Sequence, residues 1–470
     1  MSKLLIGGKW EAGPTVEALY DRYRGHQIGE MAVATPADVT RAVTHATEAF
    51  AAIRLSPTER YEILLKAAGL IAERRPELLA LITAETGFPR GDSESEVRRC
   101  VQTLRLSADE ARRIAGEVVP LDATPGLGNR VGFTVLVPRG VVCAITPYNA
   151  PLNGVAHKVA PALAAGNAVI VKPSEYTPLT AVALCRALLD AGLPPGLLSL
   201  LHGPGASIGP ALLADQRIAF YSFTGSTRVG KEIQRAAGLR GTQLELGSIS
   251  STIVCADADL ALASSKIVAA GFRKAGQVCT SVQRVLVHRS CAAEFTELLV
   301  EKTKRLKVGD PTIDGTDVGP MISEAQAMRV EQWVAEAVRE GAEVLTGGRR
   351  DGAVFQPTIL RNVRRTMRVC TEEIFGPVVS VVEFDDVEAA YEEANGTPFG
   401  LAVGVFTKDV SIAMNAVRKL KFGGVHINET SSSRVDVMPF GGVKDSGHGR
   451  EGPRYAVREM LEERLLTIAW

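Results

Sequence analysis

The apolar positions in the first hundred residues repeat at helical spacing. Ser56-Pro57-Thr58-Glu59 combines a capping box with proline at the first helical position. The apolar residues that follow at this spacing are Ile63, Leu64, Ala67, Ala68 and Ile71. The pattern predicts a short antiparallel start, an amphipathic helix from residue 57 and a second helix over residues 104–115.

Between residues 140 and 247 the pattern changes to short apolar runs that alternate with helical segments. The runs that predict buried strands are residues 141–146, 168–172, 197–201 and 218–223. Thr177-Pro178 opens a helix that Gly192 closes. This alternation is typical of a parallel sheet with helices on its faces, which binds a dinucleotide beyond the carboxyl ends of its strands.

Two further segments are expected to leave strand edges uncovered. The glycine-rich stretch 120–140 predicts a protruding hairpin with strands near residues 131–137. The run 464–470, Arg-Leu-Leu-Thr-Ile-Ala-Trp, predicts a C-terminal strand. On a monomer such edges would be unpaired, and natural proteins usually cover them.

Composition excludes several classes of function. The chain has 470 residues, enough for two or three domains, and its 53 basic and 53 acidic side chains balance. No long-range field therefore points to nucleic acid or to an anionic membrane. No export signal and no run of about 18 apolar residues is present, so we expect a cytoplasmic protein with no membrane partner.

Cysteine and histidine usage argues against bound metal. The seven cysteines are odd in number, scattered, and never spaced as Cys-x-x-Cys. The seven histidines are equally dispersed. The sequence therefore predicts neither a disulfide framework nor a metal site.

The stretch 274–284 contains the strongest candidate for chemistry. Cys279 lies between a small flexible segment and an apolar strand, and Gly276 with the free amides of a loop-to-helix start would favour a thiolate there. A buried structural cysteine is the alternative. Glu245 and Asn149 add a carboxylate and an amide donor, and the three groups together form a plausible acyl-transfer set.

The phosphate-binding signal is weaker. The spacing around Gly203-Pro204-Gly205 does not match Gly-x-Gly-x-x-Gly and favours an ordinary turn. In the run 223–230 a strand ends at Gly225 and a helix begins, so free amides could meet a pyrophosphate. A tight strand-to-helix turn explains the same residues equally well.

Ordered motifs along the whole chain resemble those of the aldehyde dehydrogenase superfamily. The matching blocks are Pro147-Tyr148-Asn149-Ala150-Pro151, Lys172-Pro173-Ser174-Glu175, residues 223–230, residues 244–247, Gly276-Gln277-Val278-Cys279, residues 372–377 and Pro439-Phe440-Gly441-Gly442. The resemblance implies an α/β fold with three parts. These are a Rossmann-type NAD-binding domain (1–118 and 139–247), an α/β catalytic domain (248–446), and oligomerisation segments built around a β-hairpin arm (119–138 and 456–470).

By this resemblance Cys279 is the nucleophile and Glu245 the general base. The Asn149 amide and the backbone N–H of Cys279 form the oxyanion hole, and Lys158 and Glu451 assist proton movement. The residues implied in cofactor binding are Thr146, Pro147, Lys172, Ser174, Glu175, Gly205, Gly225, Ser226, Glu373 and Phe375.

NAD is the predicted cofactor. The Glu175 carboxylate would accept hydrogen bonds from ribose hydroxyls and repel a 2′-phosphate. NADP stays possible, because Lys172 and Ser174 could hold that phosphate if Glu175 turned into solvent.

The expected substrate is a small aldehyde, hydroxylated or anionic. The loop 431–436 resembles the family's substrate loop, and its Arg434 could pair with an anion. His157 and Arg99 are further candidates for that anion site. The segment 151–158 resembles lactaldehyde, succinic semialdehyde and phosphonoacetaldehyde dehydrogenases.

The family resemblance also has departures and leaves alternatives. Ser248-Ile249 follows the predicted base where members commonly have a second glycine, and Tyr148 and Ala150 replace Trp and Phe. Glu245 favours hydrolysis to a free acid over transfer to coenzyme A or reduction of an acyl substrate. A non-catalytic structural relative is the alternative of a different class. The implied assembly is a homodimer or homotetramer.

Overall fold

The structure is a computed structural model that describes residues 2–470. Its first large sheet has eight strands. In order across the sheet they are Lys9–Glu11, Leu4–Ile6, Leu198–Leu200, Ala168–Lys172, Val141–Ile145, Ile218–Thr224, Gly241–Glu245 and Gly447–His448. The five central strands are parallel. Leu4–Ile6 and Gly447–His448 flank them in antiparallel pairing, and Lys9–Glu11 pairs antiparallel with Leu4–Ile6.

The five parallel strands create a crevice at their carboxyl ends. Numbered along the chain, they lie in the order 3-2-1-4-5, so the winding direction reverses between Val141–Ile145 and Ile218–Thr224. The register pairs Ile145 with Lys172 and Thr224 with Glu245, which brings these strand ends to one edge. An α/β sheet binds ligands beside such a reversal. The predicted parallel sheet is confirmed.

Helices cover both faces of this sheet. They are Pro36–Ala52, Pro57–Glu73, Arg75–Thr86, Arg90–Ala111, Asn153–Ala164, Pro178–Asp190, Gly205–Ala214 and Thr227–Ala237, with Pro453–Glu459 added from the end of the chain. The predicted capping box is present, since the Ser56 side chain accepts from Glu59 N and the Glu59 carboxylate accepts from Ser56 N.

The prediction for residues 104–115 was wrong in its bounds. The helix there is Arg90–Ala111, which starts earlier and ends sooner. Its first turns carry acidic residues that resemble a solvated segment in the sequence. Glu96 is nevertheless buried, so tertiary contacts stabilise helix where the local pattern predicts none.

The second large sheet has seven strands. In order they are Glu343–Thr346, Thr358–Arg361, Val378–Phe384, Val282–His288, Ser250–Val254, Ala402–Phe406 and Gly424–Ile427. Only the first of these runs antiparallel to its neighbour. The accompanying helices are Leu260–Phe272, Arg289–Lys304, Glu324–Arg339, Arg368–Thr371, Val387–Asn395 and Val410–Lys419.

A third sheet differs from the predicted hairpin. Its strands are Leu461–Ala469, Arg130–Pro138 and Val118–Val119, so the long strand pairs over its full length with the C-terminal strand of the same chain. Because the two segments pair with each other, the prediction that each leaves an unpaired edge on a monomer was wrong for the two edges that face one another. Leu461–Ala469 still forms one edge of this sheet. Two small ribbons complete the strands, Thr15–Tyr20 with Gln27–Val33 and Arg350–Asp351 with Val354–Phe355.

None of the helices found within residues 2–470 combines the length and the apolar character needed to cross a bilayer.

Candidate active site

Cys279 occupies a turn that leads into a central strand of the second sheet. The segment Arg273–Gly276, in which Lys274 and Ala275 have non-helical backbone angles, precedes it and the strand Val282–His288 follows it. The predicted strand is confirmed, but the predicted loop-to-helix start is wrong, because the residues directly after Cys279 form a turn and then this strand. Burial raises the pKa of Cys279 to about 12, and Arg434 is the nearby charge that opposes this rise.

Glu245 is the last residue of a parallel strand of the first sheet. The side chain is buried, and neither carboxylate oxygen has a hydrogen-bond partner within the described chain. Burial raises its pKa well above the usual range, and the negative charge of Glu451 adds to the effect. A raised pKa makes this unpaired buried carboxylate a stronger base when it is ionised, so it is suited to acid–base work.

Asn149 follows the strand Val141–Ile145, at the same edge of the first sheet. Its Nδ2 donates to the Gln277 carbonyl at 2.8 Å, which ties it to the turn that carries Cys279. Because an amide nitrogen has two donors, one N–H stays available for a ligand.

These three groups line one cleft of about 700 Å³ between the two large sheets. The ten residues implied in cofactor binding line the same cleft: Thr146, Pro147, Lys172, Ser174, Glu175, Gly205, Gly225, Ser226, Glu373 and Phe375. The structure thus brings the candidate nucleophile, the candidate base and the candidate dinucleotide contacts together.

The cleft has features that fit a dinucleotide. Ser226 caps the helix Thr227–Ala237 through Val229 N, and the amides of that first turn open toward the cleft. The buried Thr146 hydroxyl has no partner within residues 2–470. Burial raises the pKa of Glu373 to about 7, and its Oε1 accepts from Ser248 N at 2.9 Å. These groups offer donors and acceptors for ribose and phosphate oxygens.

The aromatic wall of the cleft was not predicted. Tyr148 makes edge contacts with Tyr176 and Phe375, at ring-centroid distances of 5.6 and 6.1 Å. The family blocks contain Tyr148 and Phe375, but Tyr176 gave no signal beyond its position after Glu175. The contact of Tyr176 with Tyr148 depends on tertiary packing, which the local sequence does not predict.

The serines that depart from the family pattern connect the base to the nucleophile. Ser248 Oγ and Ser250 Oγ are 3.1 Å apart, and Ser250 Oγ donates to the Cys279 carbonyl at 3.3 Å. This polar chain links the end of the base segment to the nucleophile turn.

Lys158, Glu451 and Arg434 form a buried ion network behind the cleft. Lys158 Nζ lies 2.9 Å from Glu451 Oε1, and Arg434 Nη2 lies 2.7 Å from Glu451 Oε2. Burial raises the pKa of Glu451, but these two cations hold it well below its usual value. The Arg434 guanidinium stacks 3.7 Å from the Phe440 ring centroid, and its buried Nε has no partner in the described part of the chain.

His157 and Arg99 both contact Asp436, the last residue of the predicted substrate loop, to which the sequence assigned no role. Arg99 Nη2 and His157 Nε2 lie 2.7 and 2.9 Å from Asp436 Oδ1. Asp436 belongs to the same loop as Arg434, so these contacts anchor that loop to the helices Arg90–Ala111 and Asn153–Ala164. Neither of these two side chains lines the 700 Å³ cleft, and Arg434 does not line it either.

Comparison with known proteins agrees with this geometry. A profile of the aldehyde dehydrogenase family matches residues 10–466. The chain is 48% identical over 465 residues to 3-sulfolactaldehyde dehydrogenase of Priestia megaterium, an alignment that covers 99% of this chain and 97% of that protein.

Two solved structures are also similar over nearly all of the chain. Aldehyde dehydrogenase 21 from Physcomitrella patens, in complex with the reaction product succinate, has a TM-score of 0.96 and 36% identity and covers 99% of this chain and 98% of its own. Glyceraldehyde-3-phosphate dehydrogenase from Methanocaldococcus jannaschii, complexed with NADP, has a TM-score of 0.93 and 38% identity, with 96% and 99% covered. The chain belongs to the aldehyde dehydrogenase family.

Proposed function

We propose that this protein oxidises a small anionic aldehyde to the free carboxylic acid with NAD(P), through a covalent intermediate on Cys279. The observation that carries the proposal is the cleft itself, where Cys279, Glu245 and Asn149 lie beside a crevice suited to a dinucleotide. Thiol attack, oxyanion stabilisation and water activation can then occur in one space.

In the first half of the reaction the Cys279 thiol gives up its proton to water in the cleft, and the resulting thiolate attacks the aldehyde carbon. A C–S bond forms and negative charge develops on the carbonyl oxygen, where the free N–H of Asn149 and the backbone N–H of Cys279 donate. Arg434 supplies positive charge that favours the thiolate over the thiol. When bound, the nicotinamide supplies the hydride acceptor that converts the thiohemiacetal to a thioester.

In the second half Glu245 takes a proton from water. The water oxygen adds to the thioester carbon and the C–S bond breaks, which releases the acid and restores the Cys279 sulfur. The raised pKa of Glu245 makes it a stronger base than an exposed carboxylate once it is ionised. Lys158 and Glu451, a buried pair whose charges act on Glu245, would assist the movement of that proton, as the family resemblance implies.

Residues on one wall would hold the dinucleotide. Lys172 and Glu175, whose Nζ and Oε2 lie 3.7 Å apart at the end of the second parallel strand, would hold the adenosine ribose. Ser226 and the helix it caps would hold the pyrophosphate. Glu373 and Phe375 would hold the nicotinamide ribose and ring.

The substrate proposal rests on the chemistry of the relatives and on Arg434. Sulfolactaldehyde, succinate and glyceraldehyde 3-phosphate each carry an anionic group, as the names of the three relatives state. In this chain Arg434 lies in the loop before Phe440 and has an unpartnered buried Nε. That donor could bind a sulfonate, carboxylate or phosphate oxygen.

A steady-state comparison of short aldehydes with both cofactors tests the activity and both preferences. We expect NADH formation, a larger kcat/KM for anionic than for neutral aldehydes of equal length, and a larger kcat/KM with NAD than with NADP. The second preference follows because the Glu175 carboxylate would repel a 2′-phosphate. Faster turnover of every neutral aldehyde contradicts the Arg434 argument, and preference for NADP contradicts the Glu175 argument. Absence of turnover with the whole panel contradicts the activity.

We propose that the chain forms a homodimer or homotetramer through the segments 119–138 and 456–470. Within each subunit, residues 1–118 and 139–247 form the domain that binds the cofactor, and residues 248–446 form the domain that supplies the nucleophile. The C-terminal strand supports this arrangement because it is an edge strand with exposed apolar side chains, among them Leu465 and Ile468.

Deleting residues 464–470 should weaken this assembly. The deletion removes most of the edge strand and uncovers the inner edge of Arg130–Pro138. Sedimentation velocity at micromolar concentration should show a smaller species than the full chain gives. Replacing exposed Met414 by Ser, on a helix of the second sheet, is the control and should leave the sedimentation coefficient unchanged. A full chain that sediments as a monomer would contradict the proposal.

A further inference from the structure

Three consecutive residues just before the nucleophile turn have left-handed backbone. The φ angles of Lys274, Ala275 and Gly276 are 53°, 52° and 70°. Glycine is required at 276, because a Cβ there would lie 2.2 Å from the Gly376 carbonyl oxygen. Lysine and alanine pay an energetic penalty in this conformation, which persists only where surrounding contacts hold it.

Acidic residues of the helix Arg90–Ala111 provide those contacts. Asp92 Oδ2 accepts from Lys274 N at 3.0 Å, and Glu96 Oε1 accepts from Lys274 Nζ at 2.8 Å. The other Glu96 oxygen accepts from Asn153 N at 3.1 Å. Glu96 and Lys274 are 2% and 5% exposed, so this pair is shielded from water.

Lys274 also closes a ring of hydrogen bonds around the candidate oxyanion hole. Its Nζ donates to the Asn149 carbonyl at 2.8 Å, and Asn149 Nδ2 donates to the Gln277 carbonyl at 2.8 Å. Gln277 Nε2 donates to the Lys274 carbonyl at 3.0 Å, which closes the ring. Both ends of Asn149 are therefore fixed to the segment that leads into Cys279.

We propose that Lys274, held by Glu96, is a positioning residue that sets the Asn149 amide against the Cys279 sulfur. The proposal rests on the roles proposed above for those two residues. Lys274 joins the nucleophile turn of the second sheet to a strand end of the first, and it does so without touching the reacting atoms. Because a displacement of about 1 Å can cost about 10²-fold in rate, such a junction controls the first chemical step.

The test measures the rate constant of NADH formation in the first turnover of Lys274→Met and Glu96→Gln. We expect about a 10²-fold fall for Lys274→Met, because the ring around Asn149 is opened. Glu96→Gln keeps a hydrogen-bonding side chain and should lose about 10-fold. The dissociation constant of NAD, measured by calorimetry, should change by less than about twofold in both, because neither residue lines the cofactor wall.

Two control variants separate positioning from general loss of stability. Arg284→Met breaks another buried ion pair of the second sheet, Arg284–Glu393, whose charged atoms lie 3.1 Å apart and away from the cleft. It should lower Tm and keep the first-turnover rate. Ala275→Gly relieves the left-handed strain, keeps the hydrogen-bond ring, and should also keep the rate.

A first-turnover rate for Lys274→Met within about threefold of the unmodified protein overturns the proposal, and so does an equal loss in Arg284→Met. If Lys274→Met does not fold, an unchanged rate in Glu96→Gln overturns it instead. Cys279→Ala, measured in parallel, distinguishes failure of the proposed function from failure of the positioning role of Lys274. An active Cys279→Ala protein contradicts the proposed function itself, whereas an inactive one with a normal Lys274→Met rate contradicts only the positioning role.

Discussion

Cys279→Ala is expected to abolish aldehyde oxidation, with a loss of at least about 10³-fold in kcat. The thiol is the only atom in the proposed mechanism that bonds to the substrate carbon, and no neighbouring side chain can replace it. NAD should bind to the variant with a dissociation constant within about twofold of the unmodified protein, because Cys279 is not among the residues implied in cofactor binding and loses only its sulfur atom. Steady-state rates and calorimetry measure the two effects.

Cys185→Ala is the matched control for this variant. Cys185 is fully buried in the helix Pro178–Asp190, and burial raises the pKa of its thiol to about 12, as burial does for Cys279. Its side chain does not line the cleft, so the control should keep kcat and lose only some stability. Equal loss of turnover in both variants, or retained turnover in Cys279→Ala, contradicts the nucleophile assignment.

The parts of the fold that local pattern predicted share a simple physical basis. The strands Val141–Ile145 and Ala168–Lys172 are buried on both faces, so their sequences are continuous apolar runs. The helix from Pro57 begins with a capping box whose partners are adjacent in sequence. Interactions of this kind are complete within a few residues, and a sequence displays them directly.

The parts that local pattern missed depend on distant partners. The helix Arg90–Ala111 begins in a polar stretch because Asp92 and Glu96 bind Lys274, which is far away in sequence. Likewise, the strand Arg130–Pro138 pairs over its full length with Leu461–Ala469, far along the chain, and only over two residues with the nearby Val118–Val119. The hydrophobic periodicity of a sequence does not report contacts between residues that are far apart along the chain.

The candidate site divides in the same way. Cys279, Glu245 and Asn149 were found through motifs, and the structure places all three in one cleft. The contacts of Arg99 and His157 with Asp436 could not be anticipated, because the local sequence does not show which distant carboxylate each side chain meets. Arg434 is paired as well, with Glu451, and both Arg434 Nε and His157 Nδ1 lack a partner within residues 2–470. Burial lowers the pKa of His157, so Arg434 is the charged one of these two and the stronger candidate for contact with a substrate anion.

Glu245→Gln is expected to separate the two halves of the reaction. Attack by Cys279 and formation of the thioester do not need the carboxylate, so the variant should release about one equivalent of NADH per active site in a burst. Hydrolysis then lacks its base, and steady-state turnover should fall by about 10²- to 10⁴-fold. Stopped-flow absorbance records both phases in one trace.

The rate of thioester hydrolysis is expected to depend on pH through the ionisation of Glu245. Burial raises the pKa of Glu245, so the fraction ionised, and with it the rate of thioester hydrolysis, should increase as pH rises through that value and be lost as pH falls below it. In Glu245→Gln the slow phase should lose this dependence. Glu85→Gln is the matched control, because burial raises the pKa of Glu85 to about 7 while its carboxylate accepts from Leu179 N and Thr180 N at the start of the helix Pro178–Asp190, outside the cleft. Glu85→Gln should form NADH linearly at the rate of the unmodified protein, with no burst followed by slow turnover. Linear kinetics at the unmodified rate in Glu245→Gln would show that another group activates the water.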